Sequence, residues 1–168
     1  MIGTTDRAAF CYQKEGVTCQ EQISPESKRK NAKASSPRQS ITRSSLTTIT
    51  FDAKPGESSF LDLIANEVSE ITLNGETLDP AEAYVDSRIE LKNLKEHNEV
   101  TVKAMCQYSN TGEGLHRSVD PSDGNVYLYT QFEVPDARRV YAVFDQPDLK
   151  AVFDFSVLAA KSWIVTSN

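Results

Sequence analysis

The chain has 168 residues, 39% of them hydrophobic and 25% charged, enough for one domain with a proper core and too few for two sizeable enzyme domains side by side. No apolar run approaches the roughly 18 residues of a membrane span, and the opening residues lack the charged start and apolar stretch of a secretory signal. The net charge of −6 divides unevenly: residues 1–43 carry eight Lys/Arg against four Asp/Glu, whereas residues 44–168 carry ten against twenty.

An acidic body repels nucleic-acid phosphates, and an acidic patch can favour cationic groups such as peptide amino termini, although most surface acids only maintain solubility. Cys11, Cys19 and Cys106 are odd in number and form no CxxC, which points to neither a disulfide framework nor a zinc knuckle. Three reduced cysteines fit a cytoplasmic protein.

Residues 1–43 show no sustained periodicity. The stretch SPESKRKNAKASSPRQS (24–40) has almost nothing to bury, and a segment that cannot offset its own ordering entropy is expected to be disordered. Lys28, Arg29, Lys30 and Lys33 read as a solvated basic tail. The ordered domain, 44–168, begins in earnest near Leu46. LTTITFD (46–52) is rich in β-branched residues, with Ile49 and Phe51 on one face. SSFLDLI (58–64) and VSEITL (68–73) follow as strands. Asn74-Gly75 predicts a hairpin, because both residues accept the positive φ of a type I′ turn. SRIEL (87–91) and EVTVKAMC (99–106) come next; in the latter Val100, Val102, Ala104 and Cys106 alternate with Thr101, Lys103 and Met105, the pattern of a half-buried strand. VYLYTQFEV (126–134) and AVFDFSVL (151–158) are the last two strands, with a short helical turn expected between Pro135 and Phe144. The fold class is mostly β: an antiparallel sandwich or saddle-like domain.

The stretch with chemical content is Val126 to Val134. Alternation places Val126, Leu128, Thr130, Phe132 and Val134 on one face and Tyr127, Tyr129, Gln131 and Glu133 on the other. Gln131 and Glu133, two residues apart, have Cα atoms about 6–7 Å apart. An amide carbonyl and a carboxylate at that spacing can hold one cationic group. The plainer reading is a solvent-facing polar stripe on a sheet with one wet side.

Residues 112–157 resemble the end of the N-terminal domain of the aminopeptidase N family of zinc peptidases. Gly114, Leu115, His116, Arg117 and Ser118 match a Gly-Leu-aromatic-Arg-Ser element, with His116 where Tyr is usual. An acidic turn from Asp120 to Gly124, the Thr130–Glu133 element (Thr-Gln-Phe-Glu), Ala137 and Arg138, then Phe144, Asp145, Pro147, Lys150, Ala151 and Phe153 follow in family order. The similarity runs more loosely back to about Leu46, whereas residues 1–40 depart from the family's opening strand. The resemblance implies that Glu133, with Gln131 beside it, binds the free α-amino group of a peptide substrate. It also implies zinc in the full-length enzyme, but not on this chain: the sequence has no HExxH and no Gly-x-Met-Glu-Asn. His97 sits in no such motif, and His116, with Glu113 and Asp120 near it in sequence, reads as a surface residue. Nor is there a GxSxG to mark a serine nucleophile. The expected partners are a peptide N-terminus and a catalytic domain, in frame or on a separate chain. Without that domain the β fold is expected to expose an apolar or amphipathic interface. The alternative is a stand-alone, non-catalytic β-sandwich module for peptides or amines, or an inactive relic.

Overall fold

A computed structural model describes residues 7–9, 42–133, 135–159, 161 and 163–166. The strands are β1 (Arg7–Ala9), β2 (Thr42–Asp52), β3 (Ser59–Asp62), β4 (Glu67–Leu73), β5 (Glu76–Leu78), β6 (Tyr84–Val85), β7 (Arg88–Leu91), β8 (His97–Gln107), β9 (Gly114–Val119), β10 (Val126–Gln131) and β11 (Val152–Asp154). A four-residue helix, α1 (Pro80–Ala83), precedes β6, and a 3₁₀ turn spans Ala137–Arg139. One sheet has the order β2-β8-β4-β5 and a second the order β3-β7-β6, all antiparallel. β9 and β10 form a separate antiparallel ribbon. β1 pairs with β11 in parallel, the one departure from the antiparallel expectation among the described strands.

The two larger sheets close over one core. Ile49 and Phe51 of β2, Leu61 of β3, Ile71 of β4, Ile89 and Leu91 of β7, and the β8 row Val100, Val102, Ala104 and Cys106 are all buried in it. The alternation legible in β8 is therefore the alternation that packs: inward residues meet the facing sheet and outward ones meet water. The outward face is hydroxyl-rich. Thr48, Thr101, Thr72 and Thr77 stand in register across four strands, and the Thr48 and Thr101 hydroxyls lie 3.1 Å apart. β-branched side chains that are half polar suit a sheet surface with one wet side.

The Asn74-Gly75 turn forms as expected, with φ of 53° and 85°. Asn74 also reaches beyond the turn: its Oδ1 accepts the Glu99 N–H at 2.9 Å and its Nδ2 donates to Asn98 at 3.0 Å, fastening the hairpin to β8. The unforeseen helix α1 has a local cause. Asp79 caps it, accepting the Ala81 N–H at 2.9 Å, and Pro80 stands in its first turn.

Order begins earlier than the composition implied. Thr42 and Arg43, assigned by sequence to the basic head, are the first residues of β2; the remainder of the expected disordered segment, β1 apart, lies outside the described residues. β10 ends at Gln131 rather than Val134, and β11 covers only Val152–Asp154 of the expected 151–158. Toward that end of the chain Val152, Phe153, Val157, Leu158, Trp163 and Ile164 are exposed. No helix among the described residues is long and apolar enough to cross a membrane.

At the far end of the β2–β8 pair, His97 Nδ1 lies 2.7 Å from Asp52 Oδ1. The hydrogen bond to Asp52, then its charge, raises the imidazole above its ordinary 6.5. Because the folded value is the higher one, the pair's contribution is fully present below pH 6.5 and is lost as pH rises through the raised value. An NMR titration of His97 should therefore show a midpoint above 6.5 that falls in Asp52→Asn. A midpoint indifferent to that substitution would remove the pair.

Candidate functional site

The ribbon register sets the site. Tyr127 faces Ser118, Tyr129 faces His116, and Gln131 faces Gly114. Tyr127, Tyr129 and Gln131 are exposed while Val126 and Leu128 are half-buried, so the period-two reading holds along the strand. It fails at Thr130, which is exposed although it shares the inward phase. The ribbon is ending there, and nothing covers that position. Phe132 returns inward and packs edge-on against Tyr141 with ring centroids 5.6 Å apart. Tyr141 is buried, and loss of hydration pushes its hydroxyl up to about 12. Val134 lies outside the described residues.

Gln131 and Glu133 are brought together. The Glu133 N–H donates to Gln131 Oε1 at 2.8 Å, and Gln131 Nε2 donates to Glu133 Oε2 at 3.3 Å. The Gln131 amide thus bridges backbone and carboxylate of the same neighbour and orients both. One lone pair of Oε1 and most of the carboxylate's acceptor capacity remain available. Both residues are exposed, so a ligand's ammonium group can approach without displacing protein.

Beside this pair, His116 and Tyr129 stack with centroids 4.8 Å apart and planes tilted by 31°. His116 Nδ1 accepts the Gly112 N–H at 2.9 Å, which places the ring proton of a neutral His116 on Nε2. Glu113 reaches Arg139 at 3.4 Å. Asp120 turns instead to Ser122, whose hydroxyl and amide lie 2.6 and 2.8 Å from Oδ1. Those two bonds, the hydroxyl's first, hold its carboxyl below the usual range. The acids near His116 in sequence therefore have other partners in space. The second histidine, His97, stands at the end of the β2–β8 pair. Among the described residues no three His, Cys, Asp or Glu side chains converge to hold a metal ion.

Sequence reasoning overlooked Arg139 and the conformation of Gly114. Gly114 has a φ of +63°, and a Cβ there would lie 2.9 Å from Arg139 Cβ. The available signal was Asp136 three residues before Arg139 within the expected helical turn, a spacing that brings side chains together.

The model of the peptidase M1 N-terminal domain matches residues 22–168. The chain belongs to that family. Among curated proteins it is 60% identical over 126 residues to aminopeptidase N of Streptomyces lividans, covering 74% of this chain and 15% of the relative. It is 32% identical over 129 residues to the probable M1 family aminopeptidase 1 of Encephalitozoon cuniculi, covering 63% of this chain and 15% of that protein. Solved structures give the same fold. Legionella pneumophila aminopeptidase A in complex with aspartic acid superposes with a TM-score of 0.54 at 17% identity, over 66% of this chain and 13% of that one. Native leukotriene A4 hydrolase from Saccharomyces cerevisiae gives 0.52 at 19%, over 67% and 20%. The chain thus spans about 15% of the length of the curated relatives it matches.

Proposed function

We propose that residues 44–168 form the N-terminal β domain of a zinc aminopeptidase, and that this domain contributes recognition of the substrate's free α-amino group through Glu133 and Gln131. The observation that carries the reading is the pair itself: an exposed carboxylate oriented by a neighbouring amide, within the span that matches the family. A carboxylate accepting hydrogen bonds from an ammonium group fixes the distance from the peptide's first nitrogen to the bond that is cut. An exopeptidase counts from the terminus in this way. Zinc would supply water activation and carbonyl polarisation in the complete enzyme; this chain's residues would bind and orient the amine. The cysteine pattern supports a reducing, cytoplasmic setting.

The test is binding. Leucinamide carries the free amine and N-acetyl-leucinamide does not. Titration of the ¹⁵N-labelled chain should shift the Gln131 side-chain and Glu133 backbone signals with leucinamide alone. Glu133→Ala should abolish the response while leaving stability within about 0.5 kcal/mol, the usual range for a surface substitution. Equal responses to both ligands, or a response that survives Glu133→Ala, would sink the assignment.

A further inference from the structure

Glu133 lies two residues beyond the last residue of β10, so the strand ladder does not position its carboxylate. Contacts from outside the ladder do. Besides its two bonds to the Gln131 side chain, Glu133 accepts the Asp136 N–H on its carbonyl at 3.0 Å. Asp136 is itself held, because its Oδ1 accepts from Arg139 Nε at 2.7 Å. Its carbonyl accepts the Arg139 N–H at 3.1 Å. Arg139 extends the other way to Glu113, with Nη2 3.4 Å from Oε2. Between its two carboxylates the Arg139 side chain lies on Gly114, where a Cβ would be 2.9 Å from Arg139 Cβ and 3.3 Å from Cδ. Gly114 is the register partner of Gln131. The contacts therefore close a ring that runs from Gln131 through Glu133, Asp136, Arg139 and Gly114 back to Gln131.

We propose that Arg139 is a positioning residue for the Gln131/Glu133 pair: it clamps Asp136, and through it Glu133, to β9 and so holds the Glu133 carboxylate in place without touching the ligand. The positioning rests on geometry alone; its consequence for amine binding rests on the reading given above. The chemistry suits the role. A guanidinium is a planar fork that can serve two carboxylates at once, which an ammonium cannot do as well. With Glu113 and Asp136 as its partners, its charge is balanced locally rather than by Glu133. Glu133 thus keeps its charge for a ligand. The glycine is the complementary half of the device, since any side chain at position 114 would lift Arg139 off the ribbon.

Two measurements on the 168-residue chain test this. The first needs no ligand: ¹⁵N relaxation of the Glu133 amide in wild type, Arg139→Ala, Arg139→Lys and Asp136→Asn. The expected order parameter falls from about 0.85 to below about 0.6 in Arg139→Ala, with β8 amides unchanged and Arg139→Lys intermediate. The second is the leucinamide titration, where Arg139→Ala should raise Kd about tenfold. Glu133 as ordered in Arg139→Ala and Asp136→Asn as in wild type would overturn the proposal. Loosening of Glu133 in a chain whose wild type binds no leucinamide would uphold the positioning and sink only the amine reading. Should Arg139→Ala fail to fold, Asp136→Asn decides, because it weakens the same clamp while leaving the Arg139 stem on Gly114.

Discussion

Arg43→Ala is expected to lower the unfolding free energy by about 3 kcal/mol, from lost hydrogen bonds to buried carbonyls and lost packing together. Arg43 is 1% exposed on the inward face of β2, opposite the fully buried Cys106. Its Nη2 donates to the Val140 carbonyl at 2.8 Å and lies 3.5 Å from the Arg139 carbonyl. These carbonyls stand at the C-terminal end of the Ala137–Arg139 turn, where a helix leaves its last acceptors without intrahelical donors. A cation there satisfies them and meets the negative end of the local dipole. Truncation to alanine strands the acceptors at about 1–3 kcal/mol for a buried group. It also removes an aliphatic stem that packs. Arg43→Met keeps most of the volume and loses the donor, so it should fall between wild type and alanine. Urea unfolding at constant m-value measures both. A loss below about 0.5 kcal/mol for alanine, the range of an ordinary surface change, would show that Arg43 does not hold the turn.

The same residue shows where the sequence stops being legible. β8 could be read because its inward positions are Val100, Val102, Ala104 and Cys106, with polar or flexible residues between them. The inward positions of β2 change character along the strand: Phe51 and Ile49 are apolar, but Thr47, Ser45 and Arg43 are polar and equally buried. A hydrophobic period sees only the first two, and a charge count assigns Arg43 to a basic head. Its burial depends on carbonyls 96 and 97 residues away, which no local pattern reveals. β9 was invisible for a related reason. Its residues are almost uniformly half-buried after Gly114, so Gly-Leu-His-Arg-Ser stood out as a family element and not as a strand. The Gln131/Glu133 pair was legible because two residues on one strand face must be neighbours. What orients Glu133 was not, because Asp136, Arg139 and Gly114 become neighbours of the pair only when the turn folds back on the ribbon.

Gly114→Ala should test that fold-back directly, at a cost of about 2–3 kcal/mol from a positive φ and an overpacked contact. With φ at +63° an alanine is strained whatever surrounds it. Space is short as well, since Arg139 Cβ would stand 2.9 Å from the new methyl. That neighbour is the root of the arginine side chain, not its mobile end, so relief requires moving the turn or the ribbon. In an Arg139→Ala background the Cδ contact at 3.3 Å vanishes but the Cβ contact and the φ strain persist. Most of the penalty should therefore remain, and a penalty that disappeared would place the conflict at the flexible end of Arg139. Gly114 is also the register partner of Gln131. Gly114→Ala should thus disturb the Gln131 and Glu133 signals well before it unfolds the sandwich, whose core cluster includes no residue of β9. If the β8 amides shift as much as Glu133 does, the ribbon and the sandwich yield as one unit. If Glu133 moves while β8 stays, the ribbon end is a separately adjustable support for whatever the carboxylate binds.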